Sequence, residues 1–469
     1  MDNEVFSESL AFNQVKKRAV ASRSFRVKIP SSNGINFAPG QTVNIDLPSN
    51  MAGQYYNFNQ MYLKFNVVCP AGTTAAVLDR NGAYNFIKRL SIQTSGSTLC
   101  DINNYNVLCA AMIDLQASHE WKSSSGNILA GVYGDALRGE DIGYTPYPAG
   151  RVFCLPLVLN VLSSTTPHRM IPAFSLANIQ LRLQLDSAAA AFTSSVAAPN
   201  YSITDVELVC MMTQLSPDAQ SKVDAMTGGD YNILALNYMQ ASASQSTGQT
   251  TVTANLGFSM SSLERIIVCH RKNDAANGTK TVFSNSRIRN GLTEYSFLIN
   301  SEQYPARPIV VDGYAGAEVW AETLISDHRL VDFNRGCGVN VGYNNVGTLG
   351  VGTSDLSGIA PDIVKQPSYL LTNTLCTGLS AGASAAAGTG AADSSIGTFI
   401  ASCEFESGLS DGKSSHIYSG ISTIASTVQY KGIYNSSDTP VDATIDFFAI
   451  YTVLLNLNMR GLGVWTLRV

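Results

Sequence analysis

The chain has 469 residues, a net charge of −5, 45% hydrophobic residues and only 14% charged ones. Such a chain is too apolar to stay disordered, too poor in Glu and Lys for long surface helices, and lacks the basic field that sequence-independent nucleic-acid binding needs. Its length exceeds one ordinary core, so two domains of similar size are expected.

In chain order, residues 1–28 read as an N-terminal arm. Lys16, Lys17, Arg18, Arg23, Arg26 and Lys28 concentrate positive charge there. The arm is either a solvated tail or a contact segment for a neighbouring subunit, an acidic lipid surface or packaged nucleic acid. Thr42–Leu47 and Met61–Val67 alternate apolar and polar residues, which is strand spacing. Phe86–Leu115 then sets the plan for the chain. Leu90, Ile92 and Thr94 alternate with Ser91 and Gln93; Ser95-Gly96-Ser97 is a turn; Thr98–Ile102 is a second strand. Asn103 or Asn104 can cap a helix. Val107, Leu108, Ala111, Met112 and Leu115 follow at helical spacing. Residues 118–150 lack periodicity, carry six glycines and read as a long loop. Val152–Leu159, Ile179–Asp186 and Tyr201–Leu215 are strands, with an Ala/Ser-rich loop at 187–199. Ser216-Pro217 opens a short helix with Ser at the cap and Pro in the first turn, and Gly228-Gly229 ends it.

The second half repeats the rhythm without sequence identity. Tyr231–Gln240, Thr250–Leu256, Leu263–His270, Lys280–Ser284 and Tyr295–Ile299 read as strands. Gln303–Val310, with Pro305 and Pro308, is confined to a sheet edge or strand end. Glu318–His328 is a second short helix, followed by a long loop at 335–395. Thr398–Phe405, Thr423–Tyr434, Ala443–Leu457 and Val464–Val469 close the chain. Each half then holds about eight strands, one helix after the middle strands and one long loop. Eight strands in two face-packed sheets make a jelly roll. The expectation is an all-β chain of two tandem eight-stranded jelly rolls: an arm at 1–28, a first roll at 29–215, a helical linker at 216–229 and a second roll at 230–469.

No chemistry-bearing cluster emerges. Gly378-Leu379-Ser380-Ala381-Gly382 matches the nucleophile-elbow pattern but lies in a Gly/Ala/Ser stretch with no strand before it or helix after it. His119, His168, His270, His328 and His416 never pair at metal spacing. The nine cysteines (Cys69, Cys100, Cys109, Cys154, Cys210, Cys269, Cys337, Cys376 and Cys403) contain no C-x-x-C, which fits free thiols made in a reducing compartment. Glu318 and Glu322 share a solvated helix face, and Trp320 and Trp465 read as core or interface anchors. No enzyme activity, metal, cofactor or small-molecule substrate is expected. The N-terminus carries no signal peptide, which predicts synthesis in the cytoplasm.

Phe86-Ile87-Lys88-Arg89-Leu90-Ser91-Ile92, Gly96-Ser97-Thr98-Leu99, Asp101-Ile102 and Tyr105-Asn106-Val107-Leu108 resemble the first roll of double-jelly-roll major capsid proteins. These belong to the adenovirus-like lineage of double-stranded DNA viruses, and the likeness is to those of polinton-like viruses and virophages. Glu294–Asn300, Tyr304-Pro305 and Arg307-Pro308-Ile309 are similar to the matching segment of the second roll. The resemblance implies a homotrimeric, pseudo-hexagonal capsomer that tiles an icosahedral virion shell, made in the host cytoplasm. Its partners would be itself, neighbouring capsomers, penton and minor or cement proteins, with the N-terminal arm touching an internal membrane or the genome. A trimeric adhesive or carbohydrate-binding β-sandwich fibre is the alternative, weakened by the few aromatics (Tyr343 and Tyr369) in the second long loop.

Overall fold

A computed structural model of the chain describes residues 22–49, 51, 53–73, 76–78, 81–94, 97–132, 142–166, 169–173, 179–197, 200–273, 279–280, 287, 289–311, 317–327, 399–405, 420–435, 440, 442–458 and 464–468. The first half supplies strands β1 (Ser22–Pro30), β2 (Thr42–Asp46), β3 (Gln54–Val68), β4 (Ile87–Gln93), β5 (Thr98–Asn103), β6 (Arg151–Pro156), β7 (Gln180–Leu185) and β8 (Ser202–Leu215). The second supplies β9 (Asp230–Gln245), β10 (Thr251–Asn255), β11 (Leu263–Lys272), β12 (Leu292–Ile299), β13 (Glu302–Val310), β14 (Ala401–Glu404), β15 (Val428–Tyr434) and β16 (Ala443–Asn458), with β17 (Val464–Arg468) added at the end.

Sheet order decides the fold. In the first half β1-β8-β3-β6 form one sheet and β2-β7-β4-β5 the other; in the second half the orders are β9-β16-β11-β14 and β10-β15-β12-β13. Numbered within each half, both read 1-8-3-6 and 2-7-4-5, all antiparallel. Two halves with no shared residues thus carry the same jelly-roll connectivity. The chain is an all-β double jelly roll.

Alternation explains the sandwiches. In β7 the burial runs partly buried, buried, exposed, buried, partly buried, buried, so Leu181, Leu183 and Leu185 face inward. Phe86 lies fully buried at the first centre, with Tyr201 at 4.9 Å, Phe192 at 5.7 Å and Phe65 at 6.3 Å between ring centroids. At the second centre Tyr430 packs at a tilt against Phe447 at 4.8 Å and against Phe297 at 5.6 Å. Buried side chains continue from one centre to the other through the contact between rolls. Edge-to-face and tilted ring pairs of this kind add about 0.5–1.5 kcal/mol each beyond area burial.

The helices are α1 (Tyr105–Gln116), α2 (His119–Ser123), α3 (Ser125–Ala130), α4 (Pro217–Thr227, between β8 and β9) and α5 (Ala317–Ser326). α1 and α5 each follow the fifth strand of their roll. Three expectations change. The supposed loop at 118–150 holds α2 and α3, too short to show periodicity, with Ser118 Oγ accepting from Trp121 N at 3.1 Å and Gly131 closing α3 at φ 68. The Ala/Ser stretch holds a helical turn at Ala188–Ala191 and a strand at Phe192–Ala197. Asn104 does sit at the cap position of α1, but in the left-handed region (φ 48), and its side chain makes no capping bond. Its carbonyl takes Val107 N and Leu108 N instead. The second long loop, the Gly378–Gly382 match, Cys337, Cys376, His168, His328 and His416 lie outside the described residues.

Candidate functional site: the junction between rolls and the basic edge strand

No group of three or more His, Cys, Asp or Glu able to hold a metal occurs among the described residues, and none of their helices is long and apolar enough to cross a membrane. What the side chains build is a polar junction between the two rolls, with α1 as its strut.

Asp446 of β16 is fully buried. Its Oδ1 accepts from Asn104 Nδ2 at 2.9 Å and from Gln240 Nε2 at 3.0 Å; its Oδ2 accepts from Arg271 Nε at 2.5 Å. One carboxylate thus ties the start of α1 in the first roll to three strands of the second. The released side chain of Asn104 serves this contact rather than its own helix. Near the other end of α1, Asp114 accepts from Lys122 Nζ at 2.6 Å and pairs with Arg287 of the second half. All three are at least nine-tenths buried. Gln116 Nε2 then donates to Asp327 Oδ1 at 3.0 Å, which also accepts from Arg265 Nη1 at 2.8 Å. Backbone joins in: Asn237 Nδ2 donates to Leu99 O at 2.9 Å, Thr165-Thr166 pairs with Leu234 and Ala235 of β9, and Phe192–Ala197 pairs with Thr279–Lys280. Desolvated charges of this kind are held by mutual pairing, because an unpaired one would cost several kcal/mol.

Sequence reasoning missed this junction, although a signal was present. Asp114 interrupts the apolar run of α1, and Asp446 interrupts that of β16; a lone carboxylate at an apolar register needs a partner from elsewhere. Asp327, just past the end of α5, pairs with Arg265 and Gln116 and so joins the same junction.

Of the basic residues assigned to the arm, Lys16, Lys17 and Arg18 lie outside the described residues. Arg23, Arg26 and Lys28 do not belong to a free arm. They sit on β1, which pairs with β8 from Ser22 opposite Leu215 to Pro30 opposite Glu207. The reason is alternation: Val27 and Ile29 pack inward, while Arg26 and Lys28 stay exposed on the outer face. Lys64 of β3 joins them at 3.2 Å from Glu207, with Lys28 at 3.8 Å from the same carboxylate. Arg23 lies over the Phe25 ring at 5.4 Å.

Among the described residues, the buried thiols and His270 belong to the cores. Burial pushes the Cys100 and Cys269 thiols up to about 12, away from reactivity. His270 is fully buried, with Nε2 2.7 Å from Tyr434 Oη, and burial pulls its pKa down to about 3. An unfolded histidine titrates near 6.5. Between those values the unfolded chain binds the extra proton, so this contribution to stability is complete above pH 6.5 and is lost as pH falls toward 3. At two units below 6.5 the loss is about 2–3 kcal/mol. Urea midpoints of the parent and of His270→Gln, compared from neutral to mildly acidic pH, are expected to show this extra acid sensitivity in the parent alone. Equal slopes would rule it out.

No family model matches the sequence, and no curated protein sequence does. Solved structures do match over nearly the whole chain. PBCV-1 VP54, fitted into a reconstruction of the virophage Sputnik, is 10% identical, covering 98% of this chain and 99% of its own, with a TM-score of 0.57. The PBCV-1 virus capsid is 11% identical, covering 97% and 99%, at 0.54. The Faustovirus major capsid protein is 8% identical, covering 95% and 92%, also at 0.54. At such identity the likeness establishes a shared fold: this chain has the same tandem jelly-roll architecture as these capsid structures.

Proposed function

We propose that the chain is a viral major capsid protein that forms a homotrimer with a pseudo-hexagonal outline, the unit of an icosahedral shell. The observation that carries this reading is an asymmetry between two equivalent faces. In the second roll the outer face of the β9-β16-β11-β14 sheet is covered. Asp446, Phe448, Ile450, Ile267 and Cys269 share that face by alternation and are fully buried. What reaches it is the first roll's α1 and β5 edge. In the first roll the equivalent face carries exposed Arg26, Lys28 and Val152. A surface that one roll of a chain covers in the other, left open in its counterpart, calls for a neighbour in the same relation. Repeating the contact head to tail from second roll to next first roll closes a ring, and closed rings are how heterologous contacts end without forming filaments. Three chains supply six rolls.

The near-full-length likeness to capsid proteins supports the same reading, and none of the described clusters competes with it as an active site. Residues 1–21, with Lys16, Lys17 and Arg18, would reach beneath the shell to a neighbouring subunit, the genome or an acidic membrane. Neighbouring capsomers, penton and minor proteins would be the remaining partners, and the host cytoplasm the place of synthesis. Light scattering on the purified chain after size exclusion is expected to return three chain masses, and negative-stain images hexagonal outlines. A monomer under all conditions would overturn the reading.

A further inference from the structure

The capsomer reading leaves open what covers the exposed face of the first roll. We infer that α5 of one copy docks there, setting Glu318 and Glu322 against Arg26, Lys28 and Lys64 of the next copy. This rests on the ring proposed above and names its contact.

Position supports it first. α1 and α5 are equivalents, each following the fifth strand of its roll. α1 already bridges from its own roll to the outer face of the neighbouring roll within the chain, and it does so by presenting a carboxylate, Asp114, to a cation of the second half, Arg287. α5 has the same chemistry available. Val319 and Thr323 are fully buried, and Glu318 and Glu322, one turn apart, lie on the flank of the helix, about 100° round from them. Glu318 is exposed and Glu322 half-buried. Partial burial first and the neighbouring Glu318 second raise the Glu322 carboxyl above its ordinary range, an ionisation cost that a cation placed across this flank would relieve.

Charge on the receiving face is complementary. Arg26 and Lys28 project from β1, and Lys64 from β3, with Glu207 between them. Lys28 pairs with Glu207 only loosely at 3.8 Å, with 61% of its side chain exposed. Apolar partners lie alongside for the helix body: Val152 is 45% exposed, and Tyr62 and Met211 are half-buried on the same face. Opposite charges across a partly desolvated contact set register and speed association, and each like-charge substitution there opposes it.

Two charge-reversal variants and their combination test the contact. R26E/K28E changes only exposed side chains of β1, and E318K/E322K changes the exposed and the half-buried carboxylate on the flank of α5. Each alone is expected to raise the concentration at which trimers dissociate by about tenfold or more at low salt, read by mass photometry across a dilution series, with the difference shrinking at high salt. The fourfold variant R26E/K28E/E318K/E322K is again complementary and is expected to recover most of that loss. Recovery is the decisive outcome, since two merely damaged surfaces would add their defects. Trimers of both pair variants as stable as the parent's, or a fourfold variant no better than either pair, would overturn the α5 contact while leaving the trimer standing. A monomeric parent would overturn the trimer, and the contact with it.

Discussion

Replacing Asp114 by leucine is expected to cost about 3–5 kcal/mol and to lower the thermal midpoint by on the order of 10 °C. Asp114 is 4% exposed and stands between Lys122 and Arg287, at 2% and 0%. Removing the carboxylate takes the counter-charge from two buried cations in a medium that solvates them poorly, and Arg287 already has its Nε and Nη1 without a partner among the described residues. Asp114→Asn should fall between leucine and the parent, because the amide oxygen still accepts one donor but carries no charge. The informative control is D114L/K122M/R287M. Exchanging a whole buried ion cluster for apolar side chains of similar size is often neutral, so the triple variant should regain most of the midpoint. Calorimetry on all three variants decides it: a triple variant as unstable as D114L would show that packing at α1, rather than stranded charge, sets the loss. Because Arg287 belongs to the second half and Asp114 to the first, the same variants report on whether the rolls unfold together.

The strand plan was legible because its signal is local. Alternation at Met61–Val67 and Ile179–Asp186 marked sandwich strands, and the structure lengthens the former to Gln54–Val68 without moving its inward set of Leu63, Phe65 and Val67. The prolines in Glu302–Val310 correctly placed that strand at a sheet edge, where it pairs only with β12 among the described residues. The helix α1 was legible for the same reason, since five apolar residues at helical spacing leave little else. The tandem jelly-roll class was reachable from strand count and spacing, whereas the strand order in each sheet came only with the pairing.

The junction was not legible, because its chemistry is assembled across the chain. Asn104 meets Asp446 and Asp114 meets Arg287 over separations that no window of periodicity spans. The basic stretch was visible but misassigned in part. Counting charge from Lys16 to Lys28 hid the alternation of Phe25, Val27 and Ile29, which makes the last residues a strand. Composition reads net charge; burial reads which face that charge leaves open, and the assembly argument needs the second.

Gly82→Ala is expected to cost about 3 kcal/mol or more, whereas Gly72→Ala should cost about 1 kcal/mol. Both glycines have positive φ, 60 at Gly82 and 88 at Gly72, so both substitutions incur backbone strain. Only Gly82 also meets close backbone. A methyl there would collide with the carbonyl oxygen of Ala130 and stand 2.8 Å from Gly131 C and 2.9 Å from Val132 N, while at Gly72 nothing lies within 4 Å. Backbone cannot rotate aside as a side chain can, so the helical excursion that ends at Ala130 would have to lift from the first sandwich, exposing Ala130 and Val132, now 1% and 2% accessible. The adjacent Asn81, whose Nδ2 donates to Asn106 O at 3.1 Å, would carry that shift into α1. Gly82→Ala should therefore weaken roll docking as well as stability, seen as faster amide exchange along Tyr105–Gln116. Equal stability losses for the two glycine variants, or exchange in α1 unchanged in Gly82→Ala, would refute the close approach as the cause.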